Sequence, residues 1–168
     1  MPPTYRERLR LEGAVLAGAG AAGSVALLAA TDEASRWPLN TVGQLAVVAG
    51  LLGWIVPRSA RRAMGAARSV DPGERISGDP TPVWQHPIIV ASLTASVVLP
   101  REFGVSRAGW DAGLRVTAGC MLVGLAQAVL AERVVAAGEA RTGRRYVRVP
   151  GSRLIGGTKL GFFGDSSA

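Results

Sequence analysis

Four apolar blocks, separated by charged or proline-punctuated segments, organise the chain. From Gly13 to Ala30 (GAVLAGAGAAGSVALLAA) eighteen residues pass without a charge. At 1.5 Å per residue an α-helix of that length rises about 27 Å, close to the hydrocarbon thickness of a bilayer. A second block, residues 39–56 (LNTVGQLAVVAGLLGWIV), is equally long and lies between Pro38 and Pro57. The third, residues 83–99 (VWQHPIIVASLTASVVL), has Pro87 in its first turn and ends at Pro100; it sits at the short limit of about 17 residues. The fourth, residues 112–131, is of full length and carries Arg115 one turn inside its start. Nothing stops a helix at Ala131, so the pattern continues it past Glu132 and Arg133 toward Gly138 as a solvated extension. These blocks predict an all-α integral membrane protein with four transmembrane helices. Residues 1–12 form a basic arm, 13–140 the four-helix domain with a basic loop at 57–82, and 141–168 a basic, glycine-rich tail.

Charge gives the spans a direction. Only 18% of residues are charged, against about a quarter in soluble domains. Fifteen of the 19 basic residues fall in the arm, the 57–82 loop and the segment from Arg133 onward, leaving Arg36, Arg101, Arg107 and Arg115 for the opposite side. The positive-inside rule then places both termini in the cytoplasm and the chain as a multi-pass protein of the cytoplasmic membrane. Trp37 and Trp110 stand at outer span ends, Trp54 and Trp84 at inner ones, where amphipathic rings prefer the headgroup layer. Glu7 and Glu12 in the arm, and the lack of a small-x-small site after the first block, favour a retained anchor over a cleaved signal peptide. The preference for arginine over lysine points to a high-GC bacterial genome.

In the loop, Pro57 suits a helix N1 position, and Ala60, Ala63, Met64, Ala67 and Val70 fall on one face at helical spacing. Arg58, Arg61, Arg62 and Arg68 fall on the other, an arrangement that lies on anionic headgroups. Arg144, Arg145 and Arg148 extend the same basic surface into the tail. A basic tail with an interleaved aromatic also occurs in nucleic-acid binders, but any juxtamembrane tail that obeys the positive-inside rule has this composition, so nucleic acid is not the expected partner. The GGTK stretch lacks phosphate-loop spacing.

Chemistry is sparse. His86 and Cys120 are the only histidine and cysteine, and by depth they lie on different levels of the bundle. No paired carboxylates, metal-ligand spacing or activated serine stands out, so no catalytic residue, metal or cofactor is assigned and the chain is not expected to be an enzyme. Asn40 and Gln44 near the outer end of the second block, with Asp111 and Arg115 at that of the fourth, form an outer polar layer. Asp111 and Arg115, at i,i+4 spacing, are expected to pair. Gln127 and His86 form an inner layer, and between the layers the third block offers Ser92, Thr94 and Ser96. With no ionisable side chain at mid-depth, ion-coupled transport by the monomer is disfavoured.

What remains is packing surface. Ala14, Gly18, Ala22, Ala26 and Ala30 recur every fourth residue on the first block, with shorter stripes at Cys120, Gly124 and Ala128 and at Ala46 and Gly50. Small residues allow backbones to approach, which is what holds helices together in lipid. The expectation is either a seam within the chain or a face for another subunit or a second copy. The function read from this is a structural, assembly or accessory-subunit role in a membrane complex. An oligomeric pore of holin-like kind is the alternative, and a membrane enzyme stands further behind.

Overall fold

The computed structural model describes residues 4–29, 39–70, 87–92, 108–149 and 159–163. They are mostly helical. Helix α1 is Tyr5–Ala29, α2 is Leu39–Gly65, and the helical residues 87–92 are α3. Helix α4 (Ala108–Leu125) runs through a π-helical turn, Ala126–Ala131, directly into α5 (Glu132–Thr142). Among the described residues, three helices are long and apolar enough to cross a membrane: Tyr5–Ala29, Thr41–Gly65 and Asp111–Thr142. Of the third block only 87–92 is described.

Helix α1 begins at Tyr5, eight residues before the apolar block. Thr4 caps it: the Glu7 amide donates to Thr4 Oγ1 at 3.2 Å, and the Thr4 amide donates to Glu7 Oε2 at 2.8 Å. This reciprocal pair is a capping box, so the arm from Tyr5 onward is the first turns of the helix. Helix α2 passes through Pro57 instead of ending there. The proline removes one backbone donor. The carbonyl this leaves without an amide is that of Gly53; close by, Ser59 Oγ donates to the Val56 oxygen at 2.9 Å and Arg58 Nη1 to that of Trp54 at 3.2 Å.

The extension of the fourth block is helical to Thr142, but it is not solvated on all sides: Val135 is fully buried and Glu132 almost so. Gly143 ends it in the left-handed region, φ 66°, its amide donating to the Glu139 carbonyl at 2.9 Å.

The all-α expectation is corrected by a small sheet. Strands β1 (Arg68–Ser69), β2 (Arg145–Val149) and β3 (Lys159–Phe163) pair in the order β1-β3-β2, with β1 parallel and β2 antiparallel to β3. The tail sequence RYVRV mixes β-branched and aromatic residues with arginines, a strand composition that the basic character of the tail obscures. Arg145 pairs with Phe163 and Val149 with Lys159. Val70, Val147 and Val149 make one small core at the sheet. Tyr146 joins Leu9, Ala60, Ala131 and Val135 in another, against which Met64 and Phe162 pack. The sheet is thereby fixed to the ends of α1, α2 and α5 from which the arm, the basic loop and the tail emerge.

Candidate functional site

The closest helix contact is between antiparallel α1 and α4. A Cβ built on Gly13 would fall 2.6 Å from the Gly124 oxygen and 2.7 Å from the Ala128 nitrogen; one on Gly20 would fall 2.5 Å from both the Thr117 oxygen and the Met121 nitrogen. Gly124 in turn lies against Ala17 and Gly13. Here the backbones touch, and only glycine fits. Thr117, fully buried, adds the polar part of the seam. Ser24 Oγ donates to Thr117 Oγ1 at 2.9 Å, and the Thr117 hydroxyl donates in turn to the Gly113 carbonyl at 3.1 Å.

The seam within the chain uses a different face of α1 from the four-residue stripe. Ala14, Gly18, Ala22 and Ala26 are exposed, and a Cβ on Gly18 would meet nothing within 4 Å. The buried line is Leu9, Gly13, Ala17, Gly20 and Leu27. The two faces lie about a quarter turn apart where they adjoin, as at Ala17 and Gly18, and α1 is small on almost every side. Ala30 lies outside the described residues. On the fourth block Gly124 and Ala128 do face α1, whereas Cys120 is half-buried beside it. Ala46 and Gly50 of α2 are exposed, and a Cβ on Gly50 would meet nothing within 4 Å.

At the basic end two buried carboxylates, one on α1 and one on α5, collect arginines from α1 and β2. Glu132 Oε1 is paired with Arg6 Nε and lies 2.7 Å from Arg10 Nη2. Glu12 takes a fork from Arg148 on β2, with Nη1–Oε1 at 2.8 Å and Nη2–Oε2 at 3.1 Å, and Arg8 stands at 3.8 Å. A bidentate guanidinium–carboxylate pair fixes orientation as well as distance. The cluster therefore sets how α1, α5 and the sheet meet. Its carboxylates escaped sequence reasoning because Glu12 and Glu132 sit at the ends of apolar blocks, where an exposed counter-charge is the ordinary reading. Their signal was position: Glu12 falls on the Leu9–Gly13 face.

Of the basic residues assigned to the membrane surface, Arg58, Arg61, Arg62, Arg68, Arg144 and Arg145 are exposed. Arg148 is corrected to a structural role by its fork on Glu12. Arg58 lies over the Trp54 ring at 4.3 Å and Arg144 over Phe162 at 4.2 Å. The hydrophobic face read for the loop is turned inward: Ala60 and Val70 are buried in the two small cores and Met64 packs against the first of them, so these residues do not meet headgroups. The outer layer is only partly in view. Gln44 is exposed, and the side chain of Asn40 and the whole of His86 lie outside the described residues. Among the described residues no ion pair within 4.0 Å joins Asp111 to Arg115, and Arg115 Nε is enclosed without a hydrogen-bond partner. No group of three metal-ligating side chains occurs among the described residues. No family model, curated protein or solved structure matches the chain.

Proposed function

We propose that the chain is a small four-span protein of the cytoplasmic membrane, with residues 83–99 as its third span, both termini in the cytoplasm, and an accessory or assembly role toward another membrane subunit. The observation that supports a partner is the state of α2. In its apolar window only 6% of residues are buried, against 28% for the helix from Asp111. Val47, Leu51, Trp54 and Ile55 are exposed, and added Cβ atoms at Gly43, Gly50 and Gly53 would meet nothing. Helix α2 is held at its basic end and leaves small-residue positions free higher up, where a second helix can approach closely.

Purification of the tagged full chain in mild detergent tests this. One stable membrane subunit should co-purify, and Gly50→Leu should release it while the chain stays folded. A chain that emerges alone, or one whose overexpression leaks dye from cells as a pore would, refutes the accessory role. Orientation is tested separately. With single cysteines in a Cys120→Ser background, an impermeant thiol reagent should label Ser35→Cys and Ser106→Cys on intact cells and leave Ser69→Cys and Ser166→Cys unlabelled. Labelling at position 69 overturns the orientation or the number of spans.

A further inference from the structure

Helix α2 does not change course where its charges begin. Leu51, Ile55, Arg58 and Arg62 follow one another at spacings of four, three and four residues, so they share one face of the helix. All four are exposed. This face is hydrocarbon before Val56 and cationic after it, over about 16 Å, and Trp54, also exposed, stands beside the change.

Side chains on a helix lean toward its N-terminus. On α2 that direction leads from the basic end back toward the apolar window, and Arg58 follows it. Its guanidinium lies 4.3 Å over the Trp54 ring, and Nη1 donates to the Trp54 carbonyl at 3.2 Å. The cation is therefore held one turn before its own Cα, beside the last apolar turn. Among the described residues no carboxylate lies within 4.0 Å of Arg58 or Arg62. The order of parts matches an anionic lipid, with a phosphate at the two arginines and an acyl chain along Ile55 and Leu51. A soluble anion would leave the apolar half of the face uncovered. A partner helix fits a different face: Gly43, Gly50 and Gly53, where added Cβ atoms meet nothing, lie about a third of a turn away. Leu51, Trp54 and Ile55 hold a helix backbone at a distance, whereas an acyl chain conforms to them.

We propose that this face of α2 holds an anionic phospholipid of the leaflet at the basic end, its phosphate between Arg58 and Arg62 and one acyl chain along Ile55 and Leu51. A zwitterionic headgroup is disfavoured, because it brings a further cation to a place that already holds two. The site rests on the chain crossing the bilayer and is independent of which subunit α2 meets.

The test is quenching of Trp54 by brominated lipid. The full chain carrying Trp37→Phe, Trp84→Phe and Trp110→Phe keeps Trp54 as its one tryptophan. In vesicles of dioleoylphosphatidylcholine, brominated phosphatidylglycerol should quench it more strongly than the same fraction of brominated phosphatidylcholine. Arg58→Gln and Arg62→Gln should each lower that preference about fivefold, the worth of one arginine near an anionic surface, while Arg58→Lys keeps most of it. Arg144→Gln, on the sheet, should leave it unchanged, and thermal unfolding identifies variants that remain folded. Equal quenching by the two lipids, or an unchanged preference in the folded double variant Arg58→Gln, Arg62→Gln, overturns the proposal. So does an equal loss in Arg144→Gln, which would assign the preference to a diffuse basic surface. Loss of the preference on adding inorganic phosphate at constant ionic strength overturns it as well, by making this a site for free anions. Carbonate extraction of wild-type membranes tests the spanning reading by itself: a chain that resists extraction yet shows no lipid preference refutes the lipid site alone, and one that is extracted refutes both.

Discussion

At Gly20 a carbonyl and an amide of α4, those of Thr117 and Met121, stand where a methyl group would go, whereas at Gly18, two residues away, that space is open. The two glycines therefore make opposite predictions. Gly20→Ala must push α4 away or strain both backbones, a cost of about 1–3 kcal/mol for overpacking. Gly18→Ala relieves the conformational cost of glycine in a helix and should be neutral or stabilising by up to about 1 kcal/mol. Thermal unfolding in mild detergent measures both, and equal shifts for the two variants would disprove the seam. The sequence could not choose between these faces by period, since small residues recur at four-residue spacing on each. What distinguishes the buried line is its flanks: Leu9 and Leu27 stand at its two ends and Glu12 beside it, and all three are buried. A charged residue between apolar turns reads as solvent-facing until its partner, here Arg148 from the far end of the chain, is known.

At the scale of elements, apolar length was the reliable signal and element boundaries the weak one. Residues 13–30, 39–56 and 112–131 each fall almost wholly within a helix, because in lipid a spanning segment must satisfy its own backbone. Pro57 does not end α2, which continues to Gly65, and the arginines of the tail mask the strand composition of RYVRV. The π turn has no counterpart in the apolar pattern. It is visible as the Glu132 amide reaching back five residues to the Gln127 carbonyl. One extra residue in a turn shifts the face below it by about 100°, and that shift brings Glu132 to Arg6 and Arg10 while Gly124 still faces Ala17. Deleting Val129, which is exposed, should regularise the helix yet turn Glu132 and Val135 away from their partners. The expected result is a lower unfolding temperature despite better helical geometry. Unchanged or raised stability would mean that the π turn does not set the phase of α5.

At the scale of the molecule, the protein has a helix seam and, at its basic end, a sheet that ties the segment after α2 to the tail after α5. The joint is β3. The Val70 amide donates to the Phe162 carbonyl at 3.1 Å, and on the other side β3 pairs with β2 along five residues. Gly161 sits between the two, and a Cβ there would collide with Val70 Cγ2 and come within 2.6 Å of Val149 Cγ2. Gly161→Val should therefore pry the sheet open without touching Gly13, Gly20, Thr117 or Gly124. With the tail on the proposed cytoplasmic side, trypsin added to inverted membrane vesicles should then cut after the exposed Arg144 and Arg145 about tenfold faster or more, because cleavage follows the population of the locally open state. The α1–α4 seam should stay intact, seen as an unchanged protected membrane fragment. If the variant also loses that fragment, the sheet and the seam unfold as one unit and the ionic cluster of Glu12 and Arg148 transmits the loss. If tryptic cleavage does not change, β3 is not what holds the tail to the basic end.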